Sequence, residues 1–196
     1  MRWLAALLSL VMLSACSKSQ PIDFRGTDIT GAVFGKDLQL TDHNGQARTL
    51  KDFKGKLVVL FFGYTHCPDV CPTTLSDTAS ALRQLTPDEA GRIQVLFVTI
   101  DPARDSAALL RQYVPYFHPS FLGLRGTAEQ VAAAAGEFRV FYRKHQEPGV
   151  DGYSVDHTAG SYVLDASGKL RLLLPFALPA EDIAHDLRRL LSEAGR

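Results

Sequence analysis

Two cysteines separated by three residues, Cys67 and Cys71, lie between an apolar run and the predicted start of a helix. The run over residues 57–62 is short and rich in β-branched and aromatic residues, which predicts a buried strand. Pro72 followed by Thr73 is typical of the first turn of a helix. Ligands gather at this edge of an open α/β sheet, and the partial positive charge of a helix N-terminus favours thiolate over thiol. We therefore expect a chemical site at the two cysteines.

The spacing of the cysteines is compatible with more than one chemistry. If the intervening residues are helical, both sulfurs lie on one face of one turn, whereas Pro68 and Pro72 favour a rigid loop. Either geometry allows a disulfide, or two thiolates on one metal ion. A structural disulfide, or two buried cysteines that pack as small apolar residues, is the less favoured alternative at this position. A thioredoxin-like redox pair is more typically spaced CxxC, so the extra residue is a reason to consider a metal.

Two thiolates alone make an incomplete metal site, and a histidine is the natural third ligand. The chain has six histidines: His43, His66, His118, His145, His157 and His185. His157 stands out because it precedes an apparent strand at residues 161–164, although a histidine beside a strand is more often structural or exposed. Two thiolates and one imidazole suit copper better than zinc, which normally takes four ligands in a closed structural site. His66 could act on Cys67 or be a rival ligand, but neighbouring side chains point apart, so we expect it to face away.

Four stretches of the sequence resemble the Sco/SenC family. They are GYTHCPDVCPT at residues 63–73, VTIDPARD at 98–105, YSVDH at 153–157 and YVLD at 162–165. The resemblance runs in order from about residue 38 to the C-terminus and implies a thioredoxin-like fold. It also implies a role in copper delivery to cytochrome c oxidase. Cys67, Cys71 and His157 would then be the ligands of one copper ion per domain, in a three-coordinate Cu(I) site that could also hold Cu(II).

The resemblance also indicates partners for such a copper-binding assembly factor, which we expect not to be an enzyme with turnover. The copper-bearing subunit of cytochrome c oxidase would receive the metal, and another copper chaperone would donate it. Because Cu(I) binding needs both thiolates, a thioredoxin-like reductant would have to reopen any disulfide between them. Asp69, between the two cysteines, and Asp156, beside His157, would adjust the site electrostatically.

A thiol–disulfide oxidoreductase is the alternative function, with Cys67 as nucleophile and Cys71 as resolving thiol. Activation at a helix N-terminus supports it equally well, and it has no need of His157. A thiol peroxidase is a weaker alternative. The only tryptophan, Trp3, lies in a predicted signal, and the PxxxTxxC pattern of peroxiredoxins is absent from the sequence.

Residues 1–16 read as a processing signal rather than part of the fold. Arg2 precedes an apolar run at residues 3–13 that is too short to span a bilayer comfortably. The sequence LSAC at residues 13–16 resembles the lipobox of bacterial lipoproteins, which predicts lipid attachment to Cys16. The alternative is an ordinary secretory signal or an uncleaved anchor. Either way we expect export, and with the lipid a periplasmic domain anchored to a bacterial membrane.

The rest of the sequence predicts a tether over residues 17–30 and one domain over residues 31–196. In the mature domain Cys67 and Cys71 are an even pair in an oxidising compartment, where they would tend to close into a disulfide. The chain has 21 basic and 21 acidic residues and no basic cluster. Nucleic-acid binding therefore has no support.

We predict an α/β fold with a central mixed sheet flanked by helices and an extra N-terminal β-hairpin. A second apolar strand at residues 93–100 would lie parallel to the first, as in a right-handed βαβ unit. Asn44-Gly45 predicts the N-terminal hairpin, with His43 as a turn residue and nothing more. A second hairpin is predicted around residues 165–168, and a closing helix over residues 179–194.

Three further expectations concern the edge of the sheet that carries the cysteines. Asp105 is a plausible N-cap for the next helix, and the role of Asp101 stays open. The loop at residues 145–153, which contains Pro148, precedes His157 and is rich in glycine. Its composition predicts a segment able to move, so the third ligand could let copper enter and leave.

Overall fold

The computed structural model describes residues 23–146 and 152–193, which form ten strands and five α-helices. The strands are β1 (Thr27–Asp28), β2 (Leu40–Asp42), β3 (Ala47–Arg48), β4 (Leu57–Gly63), β5 (Ile93–Thr99), β6 (Leu122–Arg125), β7 (Tyr142–His145), β8 (Ser154–His157), β9 (Ser161–Leu164) and β10 (Leu170–Leu174). The α-helices are α1 (Val70–Arg83), α2 (Pro87–Gly91), α3 (Ala107–Phe117), α4 (Ala128–Glu137) and α5 (Ala180–Glu193), and a short 3-10 helix spans Leu50–Phe53.

Several predictions fall outside the described residues. The signal over residues 1–16, the lipidated Cys16 and the first part of the tether, residues 17–22, are among them, as is the centre of the loop at residues 145–153. Within the described part of the chain, every helix is too short or too polar to cross a bilayer.

Eight strands form one mixed sheet in the order β1-β10-β9-β4-β5-β6-β2-β3. The strands β4, β5 and β6 are parallel, and all other pairings in this sheet are antiparallel. The predicted parallel pairing of the two apolar strands is therefore confirmed. Both are buried along their whole length, because a parallel pair at the centre of a sheet is covered on both faces.

Different helices cover the two faces of the sheet. Neighbouring residues of β4 contact opposite faces, because side chains alternate along a strand. Phe61 and Phe97 are partners in the β4–β5 register, and the Phe97 ring packs against Tyr113 of α3 at 5.8 Å. α1 lies on this face and packs against both α3 and α5. Phe62 points to the opposite face, where its ring meets that of Phe138, after α4, at 5.7 Å. The predicted sheet flanked by helices is confirmed.

Both predicted hairpins are present. β2 and β3 form the N-terminal one, and Gly45 in its turn adopts φ +87°, a conformation open to glycine. β9 and β10 form the second.

His43 lies in the first turn, but the prediction that it does nothing more is wrong. Its side chain is buried, and Nδ1 accepts a hydrogen bond from the Gly123 amide at 3.0 Å. The His43 amide donates to the Gly123 carbonyl at 2.8 Å, so this histidine ties the turn to β6. Burial lowers the pKa of His43, so the neutral imidazole that accepts this bond is the favoured form.

The chain joins the sheet before the predicted domain boundary at residue 31. Thr27 and Asp28 pair with β10 as strand β1. The buried carboxylate of Asp186 in α5 accepts hydrogen bonds from the backbone amides of Arg25 at 2.9 Å and Gly26 at 2.7 Å. The last part of the predicted tether is thus held against the domain, since a buried carboxylate needs such donors.

Candidate metal centre

Cys67 and Cys71 are held in the connection between β4 and α1. The Cys67 amide donates to the Tyr64 carbonyl at 3.2 Å, which turns the chain sharply after the strand. The Cys71 amide donates to the Cys67 sulfur at 3.4 Å. Cys67 is half-buried, Cys71 is fully buried, and both are free thiols. A sulfur that receives an amide hydrogen at a helix N-terminus is well placed to carry negative charge.

The helix begins at Val70, two residues before the proline that was predicted to open it. Pro72 is its third residue, where the missing N–H costs no hydrogen bond because the first four amides of a helix have no partner within it. The first helical bond runs from the Thr73 amide to the Asp69 carbonyl at 3.0 Å. Cys71 is therefore helical, and only Cys67 lies in the preceding turn.

His157 approaches the two sulfurs from the end of β8. Its Nε2 lies 3.5 Å from the Cys71 sulfur, and its Nδ1 lies 2.9 Å from the Thr158 carbonyl oxygen. A carbonyl can only accept, so Nδ1 carries the hydrogen and the neutral ring presents the lone pair of Nε2 to the cysteines. The rings of Phe61 and Tyr64 lie edge-on to the imidazole at 6.0 and 6.1 Å. The tautomer and orientation of His157 are thus set for binding a metal ion.

The three side chains form a compact set of donors. One sulfur from each of Cys67 and Cys71 and one ring nitrogen from His157 all lie within 4.8 Å of one another. Two thiolates and an imidazole are soft to intermediate ligands, which fit a soft metal ion of low coordination number. The structure therefore brings together the three residues that the sequence singled out.

The two thiols have opposite acidities because ionisation of one disfavours ionisation of the other, so the pair keeps one proton. The interaction with the Cys71 side chain lowers the pKa of Cys67 to about 5. The same interaction, together with burial, raises the pKa of Cys71 far above its usual range. Near neutral pH the metal-free pair is one thiolate and one thiol.

This arrangement predicts that Cys67 is alkylated selectively. In the reduced chain iodoacetamide should modify Cys67 and leave Cys71 unmodified, at a rate that is half-maximal near pH 5 rather than near the usual value of about 8.5. Because the Cys67 pKa is lowered, the rate should stay high above pH 6 and fall only as the pH drops through 5. The alkylation rate of each cysteine is measured by quenching the reaction at successive times and analysing the peptides by mass spectrometry. Cys71→Ala removes the neighbouring thiol and should shift the profile to higher pH; an unchanged profile would contradict the coupling of the two thiols.

Gly63, the last residue of β4, makes room for the Cys71 sulfur. A Cβ atom at this position would lie 2.7 Å from that sulfur and 2.9 Å from the Phe97 ring. Gly63→Ala should therefore destabilise the chain by about 1–3 kcal/mol through overpacking, which denaturant unfolding measures. Gly136→Ala is the matched control, since no atom lies within 4 Å of a Cβ there, and it should be neutral or stabilising. Equal effects of the two substitutions would contradict the close-packing argument.

The sequence predicts Asp105 as the N-cap of α3, and this prediction is wrong. The cap is Ser106, whose hydroxyl accepts from the Leu109 amide at 3.1 Å. The buried carboxylate of Asp105 instead accepts from the Thr65 amide at 3.1 Å and from the hydroxyls of Thr65 and Thr99 at 2.6 Å each. Asp105 thus fixes the turn that leads into Cys67. Sequence reasoning missed this role, although two threonines near strand ends could have indicated it.

The other polar residues singled out near the site lie outside the donor cluster. Asp69 is exposed and accepts from the Thr73 hydroxyl at 3.1 Å at the start of α1. Asp156 is exposed and lies on the face of β8 opposite Val155 and His157, since the strand alternates. His66 is exposed, and its Nδ1 lies 3.1 Å from the Thr65 hydroxyl.

The chain is similar to several known proteins. The SCO1/SenC family model matches residues 26–192. The mitochondrial SCO2 homolog of Bos taurus is 40% identical over 159 residues, which cover 81% of this chain and 60% of that protein. The structure of Bradyrhizobium japonicum ScoI with copper bound has 38% identity and a TM-score of 0.73, covering 80% of this chain and 99% of that chain. Apo Sco1 of Thermus thermophilus has 42% identity and a TM-score of 0.77, covering 86% and 97%.

These similarities bear on the fold and the family. The likeness to the two Sco structures confirms the predicted thioredoxin-like fold. The chain spans about 60% of the length of the mitochondrial SCO2 homologs of cattle, mouse and human. The family match extends from before β1 to the last turn of α5 and includes all three donor residues. This chain belongs to the SCO1/SenC family.

Proposed function

We propose that this chain is a copper-binding assembly factor that delivers copper to the copper centre of cytochrome c oxidase. Cys67, Cys71 and His157 hold one Cu(I) ion per domain, and the same site accepts Cu(II). The observation that carries the proposal is the convergence of these three donor atoms within 4.8 Å. Family membership adds support, because the similar Bradyrhizobium japonicum ScoI has a structure with copper bound.

The three ligands have different exposures, which suits a cargo that must be taken up and released. Cys71 is fully buried, whereas Cys67 and His157 are half-buried. An acceptor protein therefore reaches the metal from the side of Cys67 and His157, and it displaces these donors before it displaces Cys71. Cu(I) replaces the shared proton of the cysteine pair, so binding releases that proton.

The wider setting of the proposal rests on the sequence. Export and lipid attachment at Cys16 place the domain in the periplasm, tethered to a bacterial membrane. In that oxidising compartment the cysteines close into a disulfide unless a thioredoxin-like reductant supplies two electrons. Another copper chaperone supplies Cu(I), and the copper-bearing subunit of the oxidase receives it.

A thiol–disulfide oxidoreductase remains the second candidate because of the acidity of Cys67. Its pKa of about 5 makes it a thiolate at neutral pH, and it is accessible. In this reaction the Cys67 thiolate attacks one sulfur of a substrate disulfide, and the other sulfur leaves as a thiolate. Cys71 then loses its proton and attacks the Cys67 sulfur, which releases the second substrate thiol. The substrate gains two electrons, and the chain is left with a Cys67–Cys71 disulfide.

A transfer experiment separates the two functions. The reduced chain is loaded with Cu(I), mixed with a copper-free soluble domain of the oxidase copper subunit, and separated from it under anaerobic conditions. The proposal predicts that copper moves to the acceptor while the cysteines of the donor stay reduced. Reduction of an acceptor disulfide by the metal-free reduced chain, with formation of the Cys67–Cys71 bridge, and no transfer of copper from the loaded chain, would instead establish the oxidoreductase. A Cys67→Ser, Cys71→Ser chain is the control for free copper.

A further inference from the structure

His157 is carried by a pair of strands that is not part of the main sheet. Within residues 23–146 and 152–193, β7 and β8 pair only with each other, in a separate two-stranded sheet. On its C-terminal side His157 is anchored, because Ser161 begins the central strand β9. On its N-terminal side β8 follows directly on Tyr153. The position of the imidazole against the cysteines therefore depends on how this N-terminal end is attached to the domain.

Tyr153 is attached to the domain through both its side chain and its backbone. Its hydroxyl donates to Oδ1 of Asp101 at 2.7 Å, and its carbonyl accepts from Nη1 of Arg104 at 2.8 Å. The Arg104 guanidinium also lies 3.7 Å from the centroid of the Tyr153 ring, a close cation–π contact. Lys144 of β7 approaches the same hydroxyl at 3.3 Å. These contacts attach Tyr153, and with it the start of β8, to the domain.

The groups that hold Tyr153 are buried or half-buried and lie beside the metal centre. Asp101 is fully buried and accepts a hydrogen bond from Nε of Arg104, so the two form an ion pair that offsets the desolvation cost of the buried carboxylate. Both residues follow β5, the strand next to the one that leads to the cysteines. Arg104 also lies 5.6 Å from the centroid of the Tyr64 ring, and the Tyr64 hydroxyl accepts from the Val155 amide at 3.2 Å.

We propose that Asp101, Arg104 and Tyr153 form a latch that sets the position of His157 and thereby controls how readily the third copper ligand leaves. Asp101 and Arg104 hold Tyr153, the residue before β8, and Tyr64 holds Val155 within it, so the chain is attached at two alternate residues just before His157. When the latch opens, the N-terminal end of β8 loses its attachment and the imidazole moves away from the sulfurs. The ion is then left on two thiolates, open to an acceptor. This inference rests on the proposed copper site and assigns Tyr153 and Arg104 as positioning residues.

Tyr153→Phe is the first test, because it removes the hydroxyl contact with Asp101 and keeps the ring beside Arg104. Cu(I) should dissociate about tenfold faster from this variant, the lower end of the range seen when a partner that orients a metal ligand is lost. Stopped-flow competition with a chromophoric Cu(I) chelator measures the rate. Tyr142→Phe is the matched control, since Tyr142 lies in the same strand pair, opposite His157, and it should leave the rate unchanged.

A double substitution shows whether the effect acts through His157. In a His157→Ala chain the latch has no imidazole to position, so adding Tyr153→Phe should change the dissociation rate no further. Arg104→Lys, which keeps a positive charge beside Asp101, should speed dissociation in the presence of His157 and have no effect in its absence. Thermal unfolding of each variant checks that the fold persists.

Hydrogen exchange in the metal-free, reduced chain tests the latch without copper. The Val155 amide should exchange faster in Tyr153→Phe than in the wild type or Tyr142→Phe, because the end of β8 opens more often. Unchanged exchange and unchanged copper release would overturn the latch, and so would an effect on release that persists in the His157→Ala chain. If wild type binds no Cu(I), the proposed function fails, while the exchange result still decides whether Tyr153 holds β8.

Discussion

His157→Ala is expected to weaken Cu(I) binding by about 10- to 100-fold or more, while both thiols remain free. Loss of a residue that merely orients a metal ligand already has an effect of this size, and in the proposed site His157 is a ligand itself. Its Nε2 faces the Cys71 sulfur at 3.5 Å with its lone pair available. Competition between the reduced chain and a Cu(I) chelator of known affinity measures the change.

Two further variants make this result specific. His145→Ala removes an exposed imidazole at the other end of the same strand pair and should leave the affinity unchanged. Cys71→Ser removes the buried sulfur that contacts His157 and should abolish tight binding, because a hydroxyl is a poor ligand for Cu(I). Unchanged affinity in the His157→Ala chain would remove the third ligand from the site.

Asp105→Ala should lower the free energy of unfolding by about 3 kcal/mol or more. The substitution leaves the Thr65 amide and the hydroxyls of Thr65 and Thr99 without their buried acceptor, and each unsatisfied donor costs about 1–3 kcal/mol. For a chain of this size the melting temperature should fall by about 6–12 °C. Calorimetry of the reduced, metal-free chain measures it.

The control for this prediction is an aspartate without such contacts. Asp88 is exposed in the first turn of α2, so Asp88→Ala should cost only a few tenths of a kcal/mol, up to about 1. Asp105→Asn should fall between the two, because an amide keeps one acceptor oxygen. If Asp105→Ala melts within 2 °C of Asp88→Ala, about the shift of a 0.5–1 kcal/mol change, the carboxylate does not hold the turn before Cys67.

The central elements of the fold could be predicted because their signals are local. β4 and β5 are continuous apolar runs, and the sequence between them has the length and pattern of a helix, so their parallel pairing follows from the handedness of βαβ units. β8 was missed because its four residues alternate between buried and exposed and are stabilised as a strand by pairing with β7. The burial of His43 was missed for a related reason, since turn chemistry gives no information about Gly123, 80 residues away.

The donor residues of the site were also predictable, but their supporting contacts were not. Cys67 and Cys71 could be predicted from their residue type, their spacing and their position between a strand and a helix. His157 could be predicted from its position before a strand and from the family resemblance. The contacts that orient them come from residues with ordinary sequence signals: the Thr158 carbonyl, the space at Gly63 and the Asp105 carboxylate. These depend on side-chain geometry across the sheet edge, which no local pattern encodes.

X-ray absorption at the copper edge of the Cu(I)-loaded, reduced chain tests the central claim most directly. The proposed site predicts one copper per chain, bound by two sulfur atoms and by one imidazole through its nitrogen. The imidazole signal should be lost in His157→Ala. Two sulfurs without any imidazole in the wild type would contradict the assignment of His157. A shell of three or four sulfurs would contradict the whole account, because one chain supplies only Cys67 and Cys71 in the described domain.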